Sequence, residues 1–298
     1  MDYNKLIACF QDTLKISEDE LWDVTREAIQ NTRVLKEDIA SEIKIAYKDS
    51  MKALNDAEVK VEIDTTFHSA SNYLKDGKVA VLNFANPKYP GGGVQNGAKA
   101  QEECLCRSSN LYQCLKDEKV FEDYYFYHAK IGGNWFTDRM IYSSGITVFK
   151  DDSPVPVLMP ENEWFQVDVI TCAAPYLGGS TIINENELKQ VFIKRIKNIL
   201  DAAIINQVQT IILGAFGCGA FKNPPEVVAQ AFYEVIYEMG YKKYFKRIVF
   251  AIKPSGPYCK NIEAFSKRFD MKMMEEQNQK DKDKKISFWE KCRKLIGK

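Results

Sequence analysis

Four short runs of nearly unbroken apolar residues constrain the fold most: 78–85, 167–171, 210–213 and 247–252. A strand that is apolar at every position, rather than at alternate ones, needs cover on both faces. Parallel sheets flanked by helices provide that cover. Residues 59–63 (Val59-Lys60-Val61-Glu62-Ile63) alternate instead, as a half-buried strand does, and residues 140–149 read as one more strand. Between the runs lie helical stripes. One carries Leu188, Val191, Phe192, Ile196, Ile199, Leu200 and Ala203. Another starts at Pro224 or Pro225, carries Val228, Ala231, Phe232, Val235 and Ile236, and stops at Gly240. Buried strands alternating with amphipathic helices predict a three-layer α/β/α domain.

The ends of the chain read differently. Residues 1–56 look helical, with Leu6, Phe10 and Leu14 at helical spacing and Ser17 with Glu20 as a capping box before Leu21 and Trp22. Residues 275–285 are almost without apolar side chains and read as a solvated linker. Ile286, Trp289 and Ile296 then suggest a short amphipathic helix that docks on the domain or ends the chain. The organisation expected is an N-terminal helical extension over 1–58, a catalytic α/β domain over 59–269, and a charged tail over 270–298.

Composition excludes several kinds of chemistry. Lys plus Arg is 41 and Asp plus Glu is 41, so no chain-wide polyanion-binding surface is expected. No apolar run approaches the roughly 18 residues of a membrane span, and the start lacks the pattern of a secretory signal. A soluble, cytoplasmic protein is the expectation, with a nuclear location left open. The eight cysteines show no CxxC pair at zinc spacing and read as reduced thiols. With only His68 and His128, HExxH sites and histidine-rich metal clusters are absent, and no metal site and no cofactor are expected. Walker A and GxSxG patterns are missing too. Asp151-Asp152 reads as a surface turn rather than a cation site. Tyr124, Tyr125, Tyr127 and both histidines read as structural.

Two glycine-rich segments follow two of the buried runs: residues 83–103, with Gly91-Gly92-Gly93 and Gln101-Glu102-Glu103, and residues 213–224, with Gly217-Cys218-Gly219-Ala220-Phe221. Ligands of open α/β sheets bind beyond the carboxyl ends of strands, where such loops belong. Glycine lets successive backbone N–H groups face an anion, and the helix start after the second loop adds a favourable dipole. Two such loops together favour phosphate binding, while Gly214-x-x-Gly217-x-Gly219 does not fit the dinucleotide fingerprint GxGxxG.

At these residues the chain resembles the poly(ADP-ribose) glycohydrolases, particularly their bacterial-type branch. Gly91-Gly92-Gly93, seven residues and Gln101-Glu102-Glu103 match that family's GGG-X6–8-QEE signature. Asn83-Phe84-Ala85-Asn86 and the 217–221 loop agree in order, and the similarity runs from about residue 59 to 269. The resemblance implies a macrodomain with a mixed central sheet that binds the terminal ADP-ribose of poly(ADP-ribose) and hydrolyses the ribose–ribose bond. It puts Glu103 at the general acid/base. Glu102 and Asn86 fall on groups that hold the distal ribose, and Gly91, Gly92 and Gly93 lie beside that sugar. Gln101, Gly217, Cys218, Gly219 and Ala220 join the substrate-binding set, Gly217, Gly219 and Ala220 as the pyrophosphate loop, and Phe221 packs on the distal ribose. Its partners would be poly(ADP-ribose) or ADP-ribosylated macromolecules, with ADP-ribose as product, no membrane and a monomeric chain.

The chemistry is coherent without the name. Breaking an acetal between two sugars needs a proton on the departing oxygen and stabilisation of an oxocarbenium-like transition state. Adjacent glutamates on a helix point about 100° apart, so separate tasks are expected for Glu102 and Glu103. The helix N-terminus lowers a carboxyl pKa; a neighbouring carboxylate, a bound pyrophosphate and desolvation by Phe221 raise it. Two alternatives remain open on sequence: a binding module without turnover, and a hydrolase of mono-ADP-ribosyl links on protein or nucleobase.

Overall fold

The computed structural model describes residues 3–36, 57–178, 184–256 and 258–270. Seven strands form one sheet: β1 (Arg33–Leu35), β2 (Glu58–Glu62), β3 (Val79–Phe84), β4 (Met140–Val148), β5 (Phe165–Cys172), β6 (Thr210–Leu213) and β7 (Arg247–Ala251). Their order across the sheet is β1-β4-β5-β3-β6-β7-β2. β5, β3, β6, β7 and β2 run parallel, while β4 pairs antiparallel with both β5 and β1. The sheet is therefore mixed, and each of the six strands expected from the apolar pattern is present.

Successive side chains of the central strands go to opposite cores, which is why those runs have no polar alternation. Ala80 and Leu82 of β3, Ile211 and Leu213 of β6, and Ile248 and Phe250 of β7 pack with the long Glu185–Ile205 helix, the Pro225–Tyr233 helix and Phe265 and Phe269. Val79, Val81, Ile212 and Val249 face the other layer, with Phe10, Phe67, Leu105, Leu111 and Tyr124. Burial of such side chains contributes roughly 1.5–3 kcal/mol each, so both faces are committed. The Pro225 helix continues through a wider turn, Glu234–Glu238, and ends near Gly240 at φ 76°.

Two readings of the N-terminal stretch need correction. Tyr3–Lys15 and Trp22–Gln30 are helical, but Arg33–Leu35 is a strand that pairs Arg33 with Tyr142 and Leu35 with Met140. Three residues are too few to show a period, and their partner lies about a hundred residues along the chain. Ser17 forms no capping box. The first helix runs on into a wide turn, Ile16–Glu20, in which Ser17 Oγ donates to Thr13 O. The edge strand Arg33–Leu35 makes this stretch part of the main sheet. Residues 37–56 and the tail from 271 onward, with the linker and amphipathic helix expected there, lie outside the described residues.

Candidate active site

The five parallel strands all end on the same side, and their carboxyl ends open onto one cleft of about 690 Å³. β2 delivers Asp64, Thr65 and Thr66; β3 delivers Phe84, Ala85 and Asn86. β5 is followed by Ala174, β6 by Ala215–Phe221 residues, and β7 by Lys253 and its neighbours. The Gln101–Ser108 helix forms one wall. Both glycine-rich loops thus meet in one place.

The glutamate pair sits in the first turn of that helix, where backbone N–H groups lack helical partners. Both side chains are buried, Glu102 at 2% exposure and Glu103 at 7%. Glu102 Oε2 accepts from the Asn86 N–H at 2.7 Å, and Oε1 lies 3.5 Å from the Asn83 amide. Glu103 Oε1 accepts from the Gly93 N–H at 2.9 Å, while its Oε2 is buried with no hydrogen-bond partner. The two carboxyls are therefore inequivalent: one engaged at both oxygens, the other with an oxygen to spare. Burial pushes the Glu102 carboxyl well above the usual carboxylate range. The Asn86 N–H pulls it down and the charge of Glu103 adds to the rise. Burial thus favours the protonated form of Glu102.

Glycine is required at Gly92 by this geometry. Its φ is +59°, and a Cβ there would stand 2.4 Å from Glu103 Oε1 and 3.1 Å from Glu102 Oε2. Gly91 to Gly93 support the carboxylates from behind; the residues that face the cleft are Asn86, Glu102 and Glu103. Gln101 lines the cleft, but its amide is occupied by the protein. It accepts from the Phe84 N–H (2.8 Å) and donates to Leu82 O (2.7 Å) and Thr66 Oγ1 (3.1 Å), tying the helix to the end of β3.

In the second loop, Gly217 has φ 75°, and a Cβ there would stand 2.4 Å from the Ala174 methyl. Asn223 closes the loop, donating to Gly217 O (2.9 Å) and Pro175 O (2.7 Å). Gly217, Gly219, Ala220 and Phe221 line the cleft. Cys218 does not. Its thiol lies 3.6 Å from Phe216 O and packs on the core, where burial pushes its pKa up. Phe216 is fully buried and also reaches the cleft.

Several contributors were not visible in the sequence. Asp152, read there as part of a surface turn, lines the cleft: Oδ2 accepts from Thr65 Oγ1 (2.5 Å) and from the His68 N–H (3.0 Å), and burial raises its pKa. Its neighbour Asp151 does make the turn, accepting from Ser153 and Val157. Leu6 of the first helix is a wall residue, and that helix is fastened to both sides of the cleft. Thr13 Oγ1 donates to Arg107 O (2.5 Å), and buried Lys150 reaches Cys9 O (2.9 Å) and Asp12 (2.7 Å). Tyr124 and Tyr125 are fully buried, and His128 binds Tyr124 O and Thr137, so these are structural. Among the described residues no three His, Cys, Asp or Glu side chains gather to hold a metal, and no helix is long and apolar enough to cross a membrane.

Comparison with known structures follows from this geometry. Poly(ADP-ribose) glycohydrolase from Deinococcus radiodurans, in complex with ADP-ribose, is 30% identical. The match covers 83% of this chain and 97% of that one, with a TM-score of 0.73. The chain belongs to the poly(ADP-ribose) glycohydrolase family. The glycohydrolase from Thermomonospora curvata superposes with a TM-score of 0.81 at 29% identity, covering 89% of this chain and all of that one. The same protein bound to the inhibitor ADP-HPD gives 0.78 at 28% identity. The family described as "Microbial-type PARG, catalytic domain" matches residues 11–151, the half that holds β1 to β4 and both glutamates. No curated protein matches the chain.

Proposed function

We propose that this chain hydrolyses the ribose–ribose O-glycosidic bond at the terminal unit of poly(ADP-ribose), releasing ADP-ribose, with Glu103 as general acid/base. The observation that carries this reading is the inequivalent pair of buried carboxyls at the carboxyl end of the sheet. The unpartnered Glu103 Oε2 is free to give a proton to the departing ribose oxygen. As the bond to the anomeric carbon breaks, positive charge develops on the sugar, and the nearby glutamates stabilise it. The Glu103 carboxylate then takes a proton from the attacking water, which returns the enzyme to its starting state. Glu102 holds ribose hydroxyls together with Asn86. Burial raises the Glu102 pKa, and ribose hydroxyls donating to Glu102 favour its ionised form.

In this reading the backbone of Gly217, Gly219 and Ala220 receives the pyrophosphate and Phe221 covers the distal ribose. The domain is a macrodomain, and the Arg33–Leu35 strand of the N-terminal segment is part of its sheet. Gln101 and Gly91 to Gly93 act through the groups they hold. The chain works as a monomer in the cytoplasm, which sedimentation and fractionation check. Glu103→Gln is the decisive variant. It should keep ADP-ribose affinity and lose roughly 10²- to 10⁴-fold in polymer turnover. Wild-type release of ADP-ribose by that variant would overturn the assignment.

A further inference from the structure

Phe221 lines the cleft, and Tyr176, which does not, meets it edge to face at 5.5 Å between ring centroids, with Phe136 6.5 Å away. Tyr176 is 38% exposed and Phe136 is half-buried, so the group opens to solvent beside the cleft. The segment carrying Phe136 is pinned firmly. The Asn134 carbonyl accepts from the Tyr176 N–H at 2.6 Å. The buried Arg195 donates to Trp135 O (3.1 Å) and Ala173 O (2.9 Å), and pairs with Asp138 (3.1 Å).

Two side chains here sit in the left-handed backbone region, Phe136 at φ 52° and Lys222 at φ 64°. That conformation is uncommon for non-glycine residues, and for a bulky ring it persists only where the surroundings over-determine it. Turning the chain does not demand it of a phenylalanine, since Gly132 and Gly133 stand just before it at positive φ in open space. What the strain achieves is placement. It sets one aromatic ring against Phe221 and an exposed ammonium next to it along the chain.

We infer that Phe136, Tyr176 and Lys222 form a subsite for the leaving unit of the polymer, the ADP-ribose that precedes the terminal one. This inference rests on the function proposed above. The bond to be broken joins the distal ribose of the terminal unit to a hydroxyl on the adenosine ribose of that preceding unit. The leaving group therefore presents a purine and a diphosphate close to the reacting carbon. An aromatic face takes the purine by stacking, and the Lys222 ammonium takes a phosphate. Free ADP-ribose, the product, ends before this subsite and makes no use of it.

The test uses the full chain with Tyr176→Ala, Tyr176→Phe and Lys222→Gly; glycine adopts the φ of Lys222 freely. Calorimetry gives the affinity for ADP-ribose, and steady-state kinetics on poly(ADP-ribose) gives KM and kcat, with thermal melts to show that each variant folds. Tyr176→Ala should raise polymer KM roughly tenfold, as loss of one stacked base does, while ADP-ribose affinity stays within twofold. Lys222→Gly should raise KM by a smaller factor that disappears at high salt. Tyr176→Phe keeps the ring and should keep the parent KM. An unchanged KM in Tyr176→Ala, or a raised one in Tyr176→Phe, overturns the stacking subsite. A parallel loss of ADP-ribose affinity overturns it too, by returning these residues to the cleft. A parent chain that frees no ADP-ribose from polymer would refute the proposed function instead, so the two failures are distinguishable.

Discussion

Replacing Gly92 with alanine separates the backbone's contribution to stability from its contribution to catalysis. The substituent would stand 2.4 Å from Glu103 Oε1, about 1 Å inside ordinary contact, and 3.1 Å from Glu102 Oε2. The obstructing atom is the tip of a flexible side chain, so the carboxylate swings aside and the collision itself costs little. Stability is lost to φ +59°, about 1–2 kcal/mol for a residue with a Cβ, and to the Gly93 N–H bond to Glu103. Activity suffers far more. A displacement of about 1 Å at a reacting group costs roughly 10²-fold in rate, and the Gly93 N–H to Glu103 hydrogen bond at 2.9 Å is lost with it. Gly240→Ala is the control: its φ is +76°, nothing lies within 4 Å of the added methyl, and the site is remote from the cleft. Gly92→Ala should lose about 1–3 kcal/mol more stability than Gly240→Ala in urea titrations, and only Gly92→Ala should lose polymer turnover. A Gly92→Ala protein within threefold of the parent kcat would refute the claim that this glycine fixes the carboxylate.

The raised pKa of Glu102 predicts a pH dependence of stability. Folded Glu102 keeps its proton above 4.5, where the unfolded chain releases it, so the folded state binds more protons and stability falls as pH rises from there toward the folded value. Glu102→Gln removes this loss; its melting temperature relative to the parent should climb between pH 5 and pH 8, and a flat difference would sink the argument. Lys150→Met should cost about 1–3 kcal/mol, because the ammonium it removes is bonded to Cys9 O and Asp12 in a buried setting. The same change loosens the 152–156 wall, so ADP-ribose affinity should weaken alongside the urea midpoint. Unchanged affinity in a destabilised protein would show that the tether serves stability alone.

The central strands were legible in the sequence because a fully buried strand must be apolar throughout, as runs 78–85 and 210–213 are. The loops were legible for a related reason, since only a turn of unusual backbone concentrates glycine as 91–93 does. Arg33–Leu35 was hidden because its pairing is long-range and its length is below any period. Asp152 was hidden because a polar residue after a strand looks the same whether it faces water or a cleft; only Thr65 and the His68 N–H, far away in sequence, distinguish the two. Cys218 misled for the opposite reason. A position inside a ligand loop does not determine which way the side chain turns, and here the thiol turns to the core.

The cleft draws its lining from Leu6 near one end of the described chain and from Asn261 near the other. The cleft is therefore complete only once β7 and the segment after it have joined the sheet. Catalytic competence arrives all at once and late, with long-range closure as the slow event.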